Sequence, residues 1–469
     1  MWGTAISAFQ TEMGVSPSSV CSNTDWYQWT HSEEIRSSGL ISSDFPEKGD
    51  GFWDLYADDL ERAASLGNNA IRLSVEWGRI FPDSTRKIPS TVITTDAGDV
   101  LESSIDTGAM EGMKAMANEA AVEHYRKIFK KARDLGLKVA LTLYHWPLPL
   151  WLHDPVQMHR NPESPELRGW LDRQTIVEFG KYAGFCANAF GDLVDLWETI
   201  NEPEIIAIQG YFLGNEAGFP PALTDPLLTF QCLRNLAFAH NVAFTAIKEV
   251  VGNVPVGVGM SFPFFQAADD SEKSAELCNQ ARYLNNAWYL NAVTAGRFDN
   301  DLDGLSDETV KGMRGTDFLG VDYYSRYMVK FRESEMTAGI PGMTVEPCRD
   351  CTDFGWDIFP EGLRKTLSWL YGNYKLPIYI LENGIADSAD GKRSKFIADH
   401  LRELSLSINS DEIPVKGYFH WSLIDNFEWA KGFSMRFGLY EVDYTTRERR
   451  MRKSAEIYQE ICRRGWIDG

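Results

Sequence analysis

The chain has 469 residues, and 67 acidic against 46 basic side chains give it a formal net charge of −21. This excess of negative charge makes nucleic acid and anionic membrane surfaces poor partners. Hydrophobic residues make up 44% and charged residues 24% of the sequence, which is typical of globular domains and excludes a disordered, collagen-like or coiled-coil chain.

Short apolar runs rich in Val, Ile, Leu and aromatic residues recur along the whole chain. We find eight of them, at residues 2–7, 70–75, 138–144, 196–200, 254–260, 317–323, 377–381 and 415–419. The runs are apolar throughout instead of alternating, as in strands that are buried on both faces of a parallel sheet. The pattern therefore predicts eight parallel strands.

Segments with helical spacing lie between these strands. In residues 52–66, large apolar side chains recur at three- and four-residue steps, and Gly67 follows in the position of a helix C-terminal glycine. Further helices are predicted at 121–135, 173–190, 227–251, 274–295, 360–371, 394–407 and 453–463. Strands that alternate with helices, without a linker, predict an α/β protein with one domain, 1–469, folded as a single (β/α)8 TIM barrel.

Two long segments interrupt this alternation, 83–119 after the second strand and 332–357 after the sixth. Loops of this length in a compact domain are usually lids or interface elements. Because both follow strands, we expect both to lie over the C-terminal face of the barrel. The glycine fingerprint of a dinucleotide site is missing, which disfavours the alternative of two doubly wound domains.

Seven cysteines are too few for a disulfide scaffold in a chain of this length. Only Cys348 and Cys351 are closely spaced, and we interpret them as part of a plain loop because no second pair or nearby histidines complete a metal site. The first basic residue is Arg36, and no apolar run reaches about 18 residues. We therefore expect a cytoplasmic protein without a signal peptide or a membrane span.

The residues that follow the predicted strands are polar or aromatic, except after the fifth strand. In a TIM barrel the chemistry lies at the C-terminal ends of the strands. In chain order the candidates are Gln10, Glu12, Glu76, Trp77, His145, Trp146, Asn201, Glu202, Tyr323, Tyr324, Glu382, Asn383, Trp421 and Ser422.

Glu202 and Glu382 follow the fourth and seventh strands and would face one another across the barrel mouth. A glycosidase uses such a pair as acid/base and nucleophile. Most acidic residues of the chain are expected to be solvated surface groups, but these two each follow an apolar run and adjoin an asparagine. Arg72 and Tyr324 are placed to fix a carboxylate, and burial with polar partners would separate the two pKa values.

Trp146, Trp421 and Trp429 are candidate platforms for a sugar, because sugar rings present apolar C–H faces that pack on flat aromatic rings. The alternative for any tryptophan is ordinary core packing. His145 could be a metal ligand, but the histidine spacing matches no zinc pattern. A neutral contact to a sugar hydroxyl therefore suits His145 better, and we expect no metal site.

Seven longer motifs are spread over the chain. They are FQTE (9–12), RLSVEWGRIFP (72–82), YHWPLPLWLHDP (144–155), TINEP (199–203), LENG (381–384), HWSLIDNFEW (420–429) and FSMRFGL (433–439). With these motifs the sequence resembles the β-glycosidases of glycoside hydrolase family 1, and especially the archaeal branch of that family.

The resemblance implies a cofactor-independent, retaining exo-β-glycosidase that hydrolyses terminal β-D-glucosyl or β-D-galactosyl residues of small glycosides and oligosaccharides. It implies that Glu202 is the acid/base and that Glu382 forms a covalent glycosyl-enzyme. It also implies that Arg72 and Tyr324 position Glu382 and that Asn201 contacts the 2-hydroxyl of the sugar. The substrate-binding residues would be Gln10, His145, Trp146, Trp421, Glu428 and Trp429. A homo-oligomer, either dimer or tetramer, is the assembly that archaeal relatives suggest.

Two carboxylic residues depart from the pattern of the family. Asp322 stands where many relatives have Asn in an Asn-Tyr-Tyr motif, and Glu204 stands where an amide is common. Glu428 would repel the phosphate of a 6-phosphoglycoside, and the presence of Glu202 disfavours a thioglucosidase. A catalytically weak sugar-binding barrel and a preference for mannosides or fucosides remain as alternatives. A metal-dependent hydrolase or a Schiff-base aldolase is disfavoured, because no strand end carries a lysine or a His/Asp cluster.

Overall fold

The computed structural model describes residues 1–163, 166–337 and 339–465. Eight parallel strands form a closed barrel in which each strand pairs with the next along the chain and the eighth closes onto the first. They are β1 (Trp2–Ala5), β2 (Ala70–Ser74), β3 (Lys138–Tyr144), β4 (Leu196–Asn201), β5 (Val256–Ser261), β6 (Phe318–Asp322), β7 (Ile378–Asn383) and β8 (Val415–Trp421). The predicted (β/α)8 barrel is confirmed.

Helices surround the barrel close to the predicted positions. They are α1 (Phe52–Ser65), α2 (Glu119–Asp134), α3 (Arg173–Phe190), α4 (Pro226–Val251), α5 (Glu272–Arg282), α6 (Trp288–Ala295), α7 (Pro360–Tyr374), α8 (Arg393–Asn409) and α9 (Lys453–Arg464). The segment predicted as one helix, 274–295, is divided into α5 and α6 by the π-helical turn Tyr283–Ala287. Among the described residues, no helix combines the length and the apolar character that a membrane crossing requires.

Local sequence signals set the helix ends. The side chain of Asn118 accepts a hydrogen bond from the Ala121 N–H at 3.2 Å and so begins α2. Asp225 begins α4 in the same way, with bonds of 2.8 and 3.1 Å from the first turn. Gly67 and Gly136, just after α1 and α2, have φ angles of 84° and 81° that favour glycine.

Shorter elements fill the connections between strands and helices. Additional strands are Thr91–Thr94, Val100–Ser104, Phe264–Ala267, Arg297–Phe298, Glu308–Thr309, Arg326–Thr337, Ile340–Glu346, Tyr440–Val442 and Arg449–Met451. Short α-helices are Ala8–Thr11, Asp25–His31, Glu33–Ser38, Trp77–Ile80, Thr107–Met116, Pro155–Arg160, Pro203–Ala207 and Gly214–Ala217. A further π-helical turn covers Ile208–Phe212, and 3₁₀ turns cover Pro17–Ser19, Pro46–Lys48, Gly169–Leu171 and Trp429–Lys431.

The two long loops lie in different parts of the structure. Loop 83–119 folds into a hairpin and a short helix that pack on the outer helices: the Ser103 hydroxyl donates to the Val177 carbonyl, and the Asn241 amide donates to the Leu101 carbonyl. Contrary to our expectation, this loop lies against α3 and α4 instead of covering the barrel mouth. The reason is that buried side chains such as Val100 give the hairpin an apolar face, which the helices cover.

The second loop, 332–357, contains residue 338, which lies outside the described residues. Its hairpin of Arg326–Thr337 and Ile340–Glu346 joins Phe264–Ala267 in a three-stranded sheet. Cys348 and Cys351 form a disulfide, with 5.5 Å between their Cα atoms, so our interpretation of the pair as a plain loop is wrong. Pairing is local here because only two residues separate the cysteines.

Glycine gives the barrel interior room for polar side chains. A Cβ atom on Gly259 of β5 would lie 2.1 Å from Oε1 of Glu198 on β4. Glycine at this position therefore lets a glutamate occupy the centre of an otherwise apolar barrel. That glutamate is part of the site described below.

A buried ion pair ties the C-terminal hairpin to the barrel helices. Asp59 on α1 is fully buried and accepts two bonds from Arg449, at 3.0 Å from Nε and 2.8 Å from Nη2. Two parallel charge-assisted bonds of this kind also fix the orientation of the partners.

Replacing Asp59 by Ala should destabilise the protein by about 3–5 kcal/mol, because the Arg449 charge would stay buried without its partner. Urea denaturation measures the loss. Glu448, on the same hairpin, pairs with Arg450 at the surface, so Glu448→Ala is the matched control and should leave the unfolding midpoint in place. Equal midpoints for the Asp59→Ala variant and the wild type would contradict the importance of the buried pair.

Candidate active site

A cavity of about 590 Å³ opens at the C-terminal ends of the barrel strands. Nine of the eleven residues predicted for the site line it: Gln10, His145, Trp146, Glu202, Tyr324, Glu382, Trp421, Glu428 and Trp429. The other two are buried: Arg72 is bonded to Glu382, which lines the cavity, and Asn201 is bonded to Arg72. The structure thus brings the whole predicted set together.

Both oxygens of the Glu382 carboxylate have a hydrogen-bond donor. Nη1 of Arg72, from β2, donates to Oε1 at 2.5 Å, and the hydroxyl of Tyr324, just after β6, donates to Oε2 at 2.5 Å. The side chain is 4% exposed. The two donors hold the carboxylate in one orientation and favour its charged form.

Arg72 also contacts two residues of β4. Its Nε donates to Oε2 of Glu198 at 2.8 Å, and its Nη2 donates to Oδ1 of Asn201 at 2.6 Å. Glu198 accepts a further bond from the Thr142 hydroxyl. Glu198 was not among the predicted site residues, although one signal was present: a charged side chain inside an apolar strand must be paired when it is buried.

Glu202 lies at the start of the short helix Pro203–Ala207. Its backbone adopts φ 47° and ψ 61°, a left-handed conformation that is uncommon for a non-glycine residue. One carboxyl oxygen each of Glu202, Glu382 and Asp322 lies within 4.8 Å of the other two. Retaining glycosidases hold their carboxyl groups about 5–5.5 Å apart, and inverting ones about 6.5–9.5 Å. An oxygen pair this close fits the retaining arrangement.

The two carboxyl groups differ in their electrostatic environment. Burial raises the pKa of Glu202 well above its ordinary value, and the charges of Glu382 and Glu204 raise it further. Burial also raises the pKa of Glu382, but Arg72 and the Tyr324 hydroxyl oppose this rise. Glu202 therefore keeps its proton at a pH at which Glu382 is ionised.

Flat rings surround the inner part of the cavity. The ring of His145 is nearly parallel to those of Trp421 and Trp429, with centroids 6.0 Å from each and interplanar angles of 10° and 11°. Trp146 lies 4.6 Å from Trp429, and its Nε1 donates to the Asn201 carbonyl at 3.1 Å. Burial, together with the charge of Arg72, lowers the pKa of His145 well below its usual value, so its ring is neutral and suits a hydroxyl contact.

Gln10 and Glu428 form a polar corner of the same cavity. The Gln10 amide donates to Oε2 of Glu428 at 3.4 Å and to Oδ1 of Asn426 at 3.2 Å. Burial raises the pKa of Glu428 to about 8. Asn426 was not among the predicted residues, although it lies two positions before Glu428 in the same motif.

The outer part of the cavity consists mainly of apolar residues that the sequence did not reveal. They include Ile205, Phe219, Pro263, Phe265, Tyr327, Met343, Phe354 and Trp356. Trp356 stacks on Phe354 with 4.1 Å between ring centroids and lies 5.3 Å from the ring of Tyr324. Phe354 and Trp356 belong to loop 332–357, which therefore covers the mouth as expected.

Several strand-end candidates do not line the cavity. They are Glu12, Glu76, Trp77, Tyr323, Asn383 and Ser422. Glu12 pairs with Arg79 at 3.0 Å in a buried contact, and the Tyr323 hydroxyl donates to the Phe359 carbonyl at 2.6 Å. These side chains support the fold.

Within the described part of the chain, two groups of acidic residues are close enough to share a cation. One is Glu202, Asp322 and Glu382, and the other is Asp299, Asp301 and Asp307. In the first group Arg72 already supplies a positive charge against Glu382. The second group lies away from the cavity, and clusters of partly exposed carboxylates are common without an ion. We assign a metal to neither.

A closed (β/α)8 barrel with a protonated and an ionised carboxyl group at retaining distance, in a cavity walled by aromatic rings, defines a glycoside hydrolase. Comparison with known proteins identifies its family. The profile of glycosyl hydrolase family 1 matches residues 1–92 and 110–465. The chain belongs to this family and is a retaining O-glycosyl hydrolase, as the sequence motifs indicate, and its substrate is a carbohydrate.

Three relatives illustrate the similarity. The β-galactosidase of Saccharolobus solfataricus is 38% identical, with 99% of this chain and 94% of the relative covered. The crystal structure of the β-glycosidase from the hyperthermophile Thermosphaera aggregans is similar with a TM-score of 0.92 and 36% identity, over 100% of this chain and 96% of that one. A β-glucosidase mutant derived from a hyperthermophilic tetrameric structure has a TM-score of 0.89 and 36% identity, over 100% and 95% of the two chains.

Proposed function

We propose that the protein releases terminal β-D-glucosyl or β-D-galactosyl residues from small glycosides and oligosaccharides, with Glu202 as acid/base and Glu382 as nucleophile. The observation that carries the roles is the contrast between the two carboxyl groups: Glu382 is held by two donors, whereas Glu202, which has an oxygen within 4.8 Å of one of Glu382, has a pKa that burial raises well above its ordinary value. The names of relatives, β-galactosidase and β-glucosidase, support the two sugars.

In the first half-reaction Glu382 attacks the anomeric carbon while Glu202 gives its proton to the leaving oxygen. The glycosidic C–O bond breaks and an ester to Glu382 forms. In the second half-reaction Glu202, now ionised, takes a proton from a water molecule that attacks the same carbon, and the ester breaks. Glu382 returns as a carboxylate and Glu202 as an acid, and the sugar leaves with its configuration retained.

The supporting roles follow from the contacts. Arg72 and Tyr324 hold Glu382, and Asn201, bonded to Arg72, is assigned to the 2-hydroxyl of the sugar. The remaining contacts to the terminal sugar come from Gln10, His145, Trp146, Trp421, Glu428 and Trp429. Glu428 and Gln10 are assigned to hydroxyl groups and Trp421 to the apolar face of the ring.

The apolar outer wall favours apolar leaving groups. Apolar side chains such as Phe265 and Met343 are more numerous in this lining than polar ones such as Gln209, Asn285 and Lys431. Aryl and alkyl groups bury apolar surface there without leaving hydroxyl groups unpaired. We therefore assign aryl and alkyl β-glycosides as the preferred class among small substrates.

Three broader features belong to the same proposal. We assign residues 1–469 to one catalytic domain, of which 164–165, 338 and 466–469 lie outside the described part. We infer assembly into a homo-oligomer, supported by the tetrameric origin of one similar structure. We also propose a cytoplasmic location, which the five free thiols favour and the Cys348–Cys351 disulfide opposes.

Replacing Glu382 by Gly should reduce hydrolysis of p-nitrophenyl β-glucoside by at least about 10⁴-fold, because no nucleophile remains. Azide, a small anion that fits the vacated space, should restore part of the turnover and give the α-glucosyl azide. Release of p-nitrophenol with and without azide measures both effects. Unaltered activity of the variant would contradict the assignment of Glu382.

Replacing Glu202 by Gln should harm substrates with poor leaving groups most, because these need protonation of the departing oxygen. We expect kcat/KM to fall by about 10³-fold for an alkyl glucoside and by less than about tenfold for 2,4-dinitrophenyl β-glucoside. Parallel steady-state kinetics on the two substrates check this. An equal loss on both would remove the acid role from Glu202.

Replacing Phe265 by Ala should raise KM for octyl β-glucoside by about tenfold, the effect of losing a buried aromatic contact. Methyl β-glucoside is the matched control, because its leaving group is too short to need the outer wall. Steady-state kinetics with both substrates measure the difference. The same change in KM for octyl and methyl glucosides would speak against an apolar leaving-group site.

A further inference from the structure

Asp322 is a buried carboxyl group that the proposed reaction does not use. It is the last residue of β6, is fully buried, and pairs in register with Ser261 on β5 and Glu382 on β7. In the described part of the chain neither of its oxygens has a hydrogen-bond partner. One of them nevertheless lies within 4.8 Å of oxygens of both Glu202 and Glu382.

The charges around Asp322 do not favour a further anion. The groups that face it are Arg72 on β2, Glu198 on β4, Glu202 after β4 and Glu382 on β7. Arg72 is the cation bonded to this cluster in the described residues, and its bonds go to Glu198, Asn201 and Glu382 instead of Asp322. Glu198 and Glu382 already outweigh its single charge.

A buried carboxylate without a counter-ion or a hydrogen bond takes up a proton. Burial raises the pKa of Asp322 well above its usual range, and the charge of Glu382 raises it further. The neutral carboxylic acid has one O–H group, so it can donate a hydrogen bond, which the ionised form cannot do.

We propose that Asp322 remains a neutral carboxylic acid throughout turnover and is a positioning residue whose O–H group donates to Glu382 and Glu202 in turn. This inference rests on the roles proposed above for the two glutamates.

The reaction moves a negative charge between the two groups that lie near Asp322. Before the first half-reaction the negative charge lies on Glu382, and in the glycosyl-enzyme it lies on Glu202, because Glu382 is then an ester. Asp322 is close to both groups. Donation to either group needs the two side chains to approach from within 4.8 Å to hydrogen-bond distance, and in this proposal Asp322 then stabilises the ionised partner in each half-reaction and keeps its own proton.

Two variants test the neutral state and the donor role. Asp322→Asn keeps a neutral donor of the same shape, whereas Asp322→Leu keeps the neutrality and removes the donor. We expect the pH profile of kcat/KM of Asp322→Asn to keep both limbs within about 0.3 pH units of the wild type, with less than about a tenfold loss. For Asp322→Leu we expect a loss of about 10²-fold in kcat/KM.

The donor role also predicts an effect on both half-reactions. With 2,4-dinitrophenyl β-glucoside, whose departure needs no protonation, kcat reports hydrolysis of the glycosyl-enzyme. This kcat should fall by about tenfold or more in Asp322→Leu. Circular dichroism verifies that each variant is folded, and the limbs of Asp322→Asn decide the neutral state even if Asp322→Leu does not fold.

Glu204→Gln is the matched control for loss of a carboxyl group that titrates. Glu204 is buried near Glu202, its carboxylate accepts a bond from the Ser261 N–H, and burial raises its pKa to about 8. Ionised Glu204 raises the pKa of Glu202. Removing Glu204 should therefore move the alkaline limb to lower pH and leave the acid limb in place.

Two results would overturn the proposal. If both limbs of Asp322→Asn move to lower pH by about one unit or more, Asp322 is ionised in the working enzyme and raises the pKa of both catalytic groups. If folded Asp322→Leu has wild-type kinetics, no donor is needed. Azide rescue of Glu382→Gly, with Asp322 intact, tests the nucleophile separately, so failure of that assignment is distinguishable from failure of this one.

Discussion

The buried guanidinium of Arg72 is the interaction on which the site depends. It joins β2 to β4 and β7 through bonds to Glu198, Asn201 and Glu382, and it does so where the closed barrel brings these strands together. Without its charge, the neighbouring carboxylates would repel one another in a region of low dielectric constant, and Glu382 would gain a proton. Gly259 contributes indirectly, because only a residue without a side chain leaves room for Glu198.

Around Arg72, two carboxyl groups of the same kind differ in protonation because their surroundings differ. Glu382 is bonded to a cation and a hydroxyl group, which favour its ionised form. Glu202 is buried among negative neighbours, which favour its protonated form. The backbone is unusual at the same places. Trp146, Glu202 and Trp429 have φ angles of 86°, 47° and 50°, and the tertiary packing around the cavity holds these costly conformations.

The barrel and most of the inner site were predictable from the sequence for a physical reason. A strand buried on both faces must be apolar along its length, so the eight strands have a clear signal, and the residues just after them fall at one end of the barrel. Glu202, Glu382 and Trp421 could therefore be located before the structure. The motif resemblance added Glu428, which lies further from a strand end.

Other features have no periodic signal. Loop 83–119 has an apolar face, but its own sequence does not show that α3 and α4 cover this face, and the apolar outer wall is assembled from several loops. The hydrogen-bond network of Glu198 and the isolation of Asp322 appear only when residues far apart in the chain are brought together. Spacing along the chain cannot show which buried acids share a cation.

The most direct test of the account is a proton NMR time course of the purified protein with p-nitrophenyl β-glucoside. The measurement follows the anomeric signals of the released sugar before mutarotation mixes them. If Glu202 and Glu382 act as a close pair through a covalent glycosyl-enzyme, β-glucose appears first and α-glucose accumulates later. If α-glucose appears first, water attacks the sugar directly, and the assignment of Glu382 as the nucleophile is wrong.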